Sequence, residues 1–286
     1  MHNVNTTQQF IGFNTPYQDA KIVLVGVPFD GTTSFRPGTR FAPSAIRPDS
    51  YGLETYSPYL DLDLEDYLLC DLGDIDLPLG NTPCVLEEIH KVSNQLIIDN
   101  KKPLIIGGEH LVSLPIIETL AKQYPNLCII HFDAHTDLRE DYMGQPLSHA
   151  SVMRRAWDIL GDNRIFQFGI RSGTKEEFTW AKDHTHLHPF DLEGLEEIVE
   201  VLKDKPVYLS IDLDVLDPSI FPGTGTPEPG GVSFNTLINA FKQLSKLNQL
   251  VGADIVELSP HYDLSGVSTA VCCKVVREVS LLLANK

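Results

Sequence analysis

The sequence predicts an α/β fold in which a mainly parallel sheet is covered by helices on both faces, in one domain spanning residues 1–286. Three observations carry this. Short apolar runs rich in Val, Ile and Leu recur along the chain, as expected for strands buried on both sides. Longer amphipathic stretches separate them. No low-complexity linker or repeat of fixed period divides the 286 residues.

The strand candidates, in order, are 22–27, 67–72, 103–106, 127–132, 164–170, 207–211 and 250–256. Helices are expected over 82–100, 114–124, 150–160, 192–202 and 233–246, with Ser233 as an N-cap, and over 268–284. The Pro/Gly-rich segment 222–231 follows a carboxylate cluster and precedes a helix, so it reads as a loop at a site.

The formal net charge of -17 argues against nucleic acid and suits a cationic substrate. Cys70, Cys84, Cys128, Cys272 and Cys273 are odd in number and form no C-x-x-C pair, so neither a disulfide framework nor a zinc finger is expected. Cys70 and Cys128 lie in apolar runs and read as core residues. No apolar run is long enough for a bilayer, and residues 1–20 are polar without a signal pattern, so the expectation is a cytoplasmic protein with no membrane partner. No G-x-G-x-x-G, P-loop or G-x-S-x-G pattern is present.

In parallel sheets, ligands bind beyond the carboxyl ends of the strands. Three runs end there in metal-ligand residue types. The run 127–132 leads into Asp133-Ala-His135-Thr-Asp137, whose alternate side chains share a face on extended backbone. The run 207–211 leads into Asp212-Leu-Asp214, and 103–106 into Gly107-Gly-Glu109-His110. Taken singly, each also fits solvated acids, Asp-rich turns or a structural histidine. Together, two imidazoles and four carboxylates exceed the four ligands of one zinc and fit two adjacent cations. Oxygen and imidazole donors without thiolate favour manganese. Two metals roughly 3.5–4 Å apart make hydroxide available near neutral pH.

Gly107-Gly-Glu-His110, Asp133-Ala-His-Thr-Asp137 and Ser210-Ile-Asp-Leu-Asp-Val-Leu-Asp-Pro218, continued by Pro222-Gly-Thr-Gly-Thr-Pro227, resemble the metal signatures of the ureohydrolases, the arginases, agmatinases and their relatives. The resemblance spans nearly the whole chain. It implies a three-layer α/β/α sandwich with a sheet of about eight strands and two manganese ions per chain. His110, Asp133, Asp137 and Asp212 would hold one ion; Asp133, His135, Asp212 and Asp214 would hold the other. It further implies that a hydroxide bridging the metals attacks a guanidinium carbon. His149, in Leu147-Ser-His-Ala150, resembles the family's proton-relaying histidine, and Glu257, in Val256-Glu-Leu-Ser-Pro260, its guanidinium-binding glutamate. Trimers or hexamers are the oligomers it implies. Glu109 and Leu111 depart from the usual Asp-His-Ser, which touches the surroundings of the ligands rather than the ligands.

The loop 138–148 lacks the Asn/Thr/Ser pattern with which arginases bind an amino-acid head. It offers Glu140 and Asp141, which would attract an ammonium, beside Arg139, which would attract a carboxylate. The substrate expected is agmatine, cleaved to putrescine and urea. Arginine and guanidinobutyrate stay open, as do a catalytically silent binding protein and a single-zinc amide hydrolase of related fold. His184, His186 and His188 alternate without carboxylates around them and read as a solvated segment; His131, inside an apolar run, reads as a core histidine.

Overall fold

The computed structural model describes residues 4, 5 and 8–285. The rest of the polar stretch at the N-terminus lies outside the described residues. The strands are β1 (Val4–Asn5), β2 (Ile22–Val27), β3 (Tyr56–Ser57), β4 (Leu62–Asp63), β5 (Leu69–Ile75), β6 (Lys102–Gly107), β7 (Cys128–Phe132), β8 (Ile165–Ile170), β9 (His186–Pro189), β10 (Val207–Asp212) and β11 (Leu250–Val256). The helices are α1 (Ala42–Ser50), α2 (Thr82–Ile98), α3 (Leu114–Gln123), α4 (Val152–Leu160), α5 (Lys175–His184), α6 (Leu195–Leu202), α7 (Phe234–Leu244) and α8 (Val267–Ala284).

Nine strands form one sheet in the order β1-β5-β2-β6-β11-β10-β7-β8-β9. Eight of them are parallel, and β1 adds an antiparallel edge on β5. β3 and β4 make a separate small hairpin. Successive side chains of a strand point to opposite faces, so one strand feeds two cores. In β2, Ile22 and Leu24 join one core cluster while Val23 and Val25 join the other. The first cluster is completed by α1, α6, α7 and α8, the second by α2, α3, α4 and α5. This is the expected three-layer arrangement. Cys70 and Cys128 are buried, and all five cysteines are free thiols. No described helix is long and apolar enough to cross a membrane.

Local sequence explains most boundaries. The Ser233 hydroxyl caps α7 by accepting from Thr236 N at 3.1 Å. Two helices had no clear signal. α1 carries Pro43 and Pro48, residues that normally mark helix ends, and α5 reads as polar. α5 is set instead by a capping box between Thr174 and Glu177.

β9 corrects one expectation. His186 and His188 lie in an edge strand, not a solvated segment. Their rings stack on Phe166 and Phe168 with centroids 4.5 and 4.4 Å apart, and His184 stacks on Trp180 at 4.2 Å.

Candidate metal centre

Four adjacent central strands, β6, β11, β10 and β7, end at one place. Their carboxyl ends deliver His110, Glu257, the Asp212/Asp214 pair and the 133–137 segment respectively. Close backbone approach makes this possible. A Cβ on Gly108 would sit 1.7 Å from the Phe29 carbonyl oxygen, so no other residue fits there. Gly108 N donates to Val27 O, and Glu257 N donates to Gly108 O, both at 3.0 Å. Asp137 and Glu257 hold φ of 53° and 66°, left-handed values that non-glycine residues rarely adopt. Such strain persists where the surroundings over-determine it, commonly at functional sites.

His110 Nδ1 is buried and makes no hydrogen bond. It faces Asp133 Oδ2 at 3.1 Å, Asp137 Oδ2 at 3.2 Å and Asp212 Oδ2 at 3.5 Å. The opposite nitrogen, Nε2, lies 2.8 Å from the Ser210 hydroxyl, whose own proton goes to Asp254 Oδ1 at 2.8 Å. Nε2 therefore carries a hydrogen, and Nδ1 is turned to three carboxylates. Three carboxylates converging on one nitrogen need a positive centre, a proton on Nδ1 in the metal-free fold or a bound cation in its place. A second group adjoins it. His135 Nδ1 is 3.0 Å from Asp214 Oδ2 and 3.5 Å from Asp133 Oδ1. Asp133 thus turns one oxygen to each histidine. The ligand atoms of Asp133, His135 and Asp214 lie within 4.8 Å of one another. All six residues named from sequence as metal ligands come together, and their donors fit two cations with four carboxylates to balance them.

Burial opposes every charge here. It pushes Asp212 and Glu257 well above the usual carboxylate range, reinforced by neighbouring carboxylates, and lifts Asp137 to about 6. Burial also opposes protonation of His110 and His135, but the carboxylates around them win and hold both rings well above their ordinary value. For Asp133 the imidazoles of His131 and His110 outweigh burial and hold it well below.

The metal-free fold therefore keeps protons that the unfolded chain releases. Asp137 ionises above about pH 4 when unfolded and only above about 6 when folded, so its contribution to stability is lost as pH rises through that window. His110 and His135 act in the same direction at higher pH, while Asp133 runs the other way. We expect the rise in Tm on adding manganese to be larger at pH 8 than at pH 5. An equal or reversed pair of shifts, read by scanning calorimetry, would contradict this account of the charge.

Sequence reasoning missed a polar row beneath the ligands. Asp254, Ser210, His131 and Gln167 are register partners across β11, β10, β7 and β8. Gln167 Nε2 donates to His131 Nδ1 at 3.1 Å, so His131 Nε2–H donates to Asp133 Oδ2 at 2.9 Å. His131 is a core histidine, as expected, but it also orients the Asp133 carboxylate. The only signal was polarity inside apolar runs. Glu109 has a comparable part. It is buried and accepts from Thr32 N at 2.7 Å and Thr32 Oγ1 at 2.5 Å, and Thr32 Oγ1 in turn accepts from His149 N at 3.0 Å.

A cavity of about 270 Å³ opens above the ligands, lined by Ser34, His135, Asp137, Arg139, His149 and Asp212 among others. His149 Nε2 lies 3.0 Å from Ser34 Oγ. Burial and the imidazoles of His135 and His110 push this ring down to about 4, so it is uncharged at neutral pH. Glu257 Oε1 accepts from His110 N at 2.9 Å. The segment 222–231 borders the site, as expected: Thr226 Oγ1 donates to Asp214 Oδ2 at 3.3 Å. Glu140 and Asp141 do not line the cavity. Both are exposed and face a neighbouring depression, because Leu138 is anchored in the core and the chain beyond it turns outward.

Comparison with known proteins agrees with this geometry. The model of the Arginase family matches residues 20–282. Agmatinases of Bacillus cereus and Bacillus subtilis are 48% and 47% identical over 275 residues, covering 95% of this chain and of each relative. A solved structure from Clostridium difficile, provisionally named an agmatinase, superposes with a TM-score of 0.92 at 54% identity, covering 94% of this chain and 99% of that one. Sheet order, ligand-type residues at the strand ends and full-length similarity together establish that the chain belongs to the arginase family.

Proposed function

We propose that the chain is a binuclear manganese hydrolase that cleaves agmatine to putrescine and urea. The observation that carries this is the convergence of three carboxylates on His110 Nδ1, directly beside Glu257. The near full-length likeness to agmatinases supports the choice of substrate.

In this reading His110, Asp133, Asp137 and Asp212 hold one manganese, and Asp133, His135, Asp212 and Asp214 hold the other. When bound, such a pair supplies hydroxide near neutral pH and stabilises developing negative charge. Glu257 binds the guanidinium. Its Oε1 is already committed to His110 N, so Oε2 and the remaining lone pair of Oε1 receive the substrate N–H groups. A guanidinium also supplies the positive charge that the buried carboxyl lacks. His149, being uncharged, takes up a proton at a ring nitrogen and passes it to the departing amine, with Ser34 as its neighbour on Nε2.

One observation favours a second substrate. Arg139 lines the cavity and would pair with a carboxylate, as in guanidinobutyrate. A urea-release screen over agmatine, arginine and guanidinobutyrate with manganese supplied decides among them. We expect kcat/KM for agmatine to exceed that for arginine by at least about a hundredfold, the effect of one unfavourable charge contact of about 3 kcal/mol. A preference for either carboxylate-bearing substrate would overturn the assignment.

A further inference from the structure

The displacement of Glu140 and Asp141 leaves the far end of a cationic substrate without its expected partner, and segment 222–231 offers another. Its Gly225 lies against the guanidinium-binding carboxylate: a Cβ there would stand 3.7 Å from Glu257 Oε2. Three residues on, Glu228 Oε1 lies 4.0 Å from His135 Nε2 and accepts from Ser172 Oγ, on the cavity wall, at 3.0 Å. The backbone of Glu228 is held firmly. Arg171 Nε and Nη2 donate to its carbonyl at 3.2 and 2.8 Å, and Nη2 also donates to Asp214 O at 2.7 Å. The side chain remains 39% exposed. Its Oε2 has no donor among the described residues.

Length and charge both fit. Three residues of chain span at most about 10 Å, and the carbon-to-nitrogen distance from guanidinium to ammonium in extended agmatine is about 7 Å, from bonds of roughly 1.5 Å. One loop thus runs from Glu257 to Ser172 on the cavity wall, a span of the same order as that substrate. At the cavity mouth the Arg139 charge is already opposed. Its Nε is 3.7 Å from Glu177 Oε2, and its guanidinium packs over the Tyr142 ring at 4.9 Å. With Arg139 offset by Glu177, Glu228 adds a negative charge beside the cavity wall.

Resting on the agmatine-cleaving reading above, we infer that Glu228 receives the terminal ammonium of the substrate and sets the preference for guanidines with a cationic tail. It is a specificity residue, carried on a backbone that Arg171 fixes to the metal-ligand strand end.

The test compares wild type and Glu228→Gln, both loaded with manganese, on agmatine, on pentylguanidine and on 4-guanidinobutyrate. Pentylguanidine replaces the ammonium by a methyl group. Glutamine keeps the size and the acceptor for Ser172, so the fold is preserved. Loss of one charge-assisted contact should lower kcat/KM for agmatine by about tenfold to a hundredfold, mainly through KM, and leave pentylguanidine within about twofold. Selectivity against guanidinobutyrate should narrow, and metal content should stay at the wild-type value. An unchanged kcat/KM for agmatine overturns the inference. So does a parallel fall for agmatine and pentylguanidine, or loss of metal, since either would make Glu228 a residue that positions His135. A wild type that turns over guanidinobutyrate and not agmatine removes the functional reading itself. A wild type that prefers agmatine, with an indifferent Glu228→Gln, removes only the role of Glu228.

Discussion

Asp212→Ala should release both metal ions and leave urea release at background. Asp212 is 3% exposed, ends β10, and sends Oδ2 towards His110 Nδ1 while Oδ1 accepts from Asp214 N at 2.8 Å. In the proposed arrangement it touches both ions, so its loss unsettles both. Removing a mere outer partner of a metal ligand costs roughly 10–100-fold, and loss of a shared ligand should exceed that. The fold itself should survive. Burial and the carboxylates of Asp214 and Asp133 already penalise this carboxylate without metal, so its removal relieves repulsion even as one hydrogen bond is lost. The measurements are metal per chain by emission spectroscopy, urea release, and Tm without metal. Two ions retained, or ordinary turnover, would sink the two-metal assignment. A collapsed metal-free Tm would show instead that Asp212 is needed for folding.

The strand ends were legible because chemistry and periodicity coincide there. Asp133, His135 and Asp137 alternate directly after a strand that is apolar except for His131, and nothing in a core explains such a pattern. Strands β2, β10 and β11 were legible for a related reason: burial on both faces leaves mainly apolar runs, broken in β10 and β11 by Ser210 and Asp254. β9 was not, because His-Leu-His-Pro at a sheet edge buries through ring stacking on Phe166 and Phe168 rather than through aliphatic side chains. α1 was hidden by its prolines. The polar row Asp254–Ser210–His131–Gln167 was hidden because its members are distant in sequence and meet only through strand register.

Substrate selection was the least legible part. Glu140 and Asp141 follow the metal segment closely in sequence, which made them natural partners for an ammonium. Three dimensions separate them from the cavity: Leu138 is pinned in the core and its N–H donates to Glu177 Oε1 at 3.2 Å, so the chain leaves the site immediately afterwards. Glu228, by contrast, comes far later in the chain, after β10, and meets the cavity wall through its hydrogen bond with Ser172. Loop position is decided by backbone partners such as Arg171, whose role has no local sequence pattern.

His149→Phe should leave both ions in place and lower kcat by about 10²–10⁴-fold, the usual contribution of a positioned proton carrier. His149 is not in the ligand set, and its backbone N–H stays bonded to Thr32 Oγ1 whatever the side chain. Phenylalanine replaces the ring at similar volume beside Tyr142, whose centroid is 6.4 Å away. What it removes is a nitrogen 3.0 Å from Ser34 Oγ. The pH profile carries the sharper test. Burial and the imidazoles of His135 and His110 hold the ring down to about 4, so it is uncharged across the neutral range. Its titration then limits the wild-type enzyme only on the acid side, and kcat should be insensitive to it above about pH 6. In the variant kcat should fall at every pH, and leaving groups of lower basicity should suffer less, because they depart with less need of a proton. An unchanged kcat would remove His149 from the reaction. A fall shared equally by good and poor leaving groups would assign it to substrate positioning instead of proton transfer.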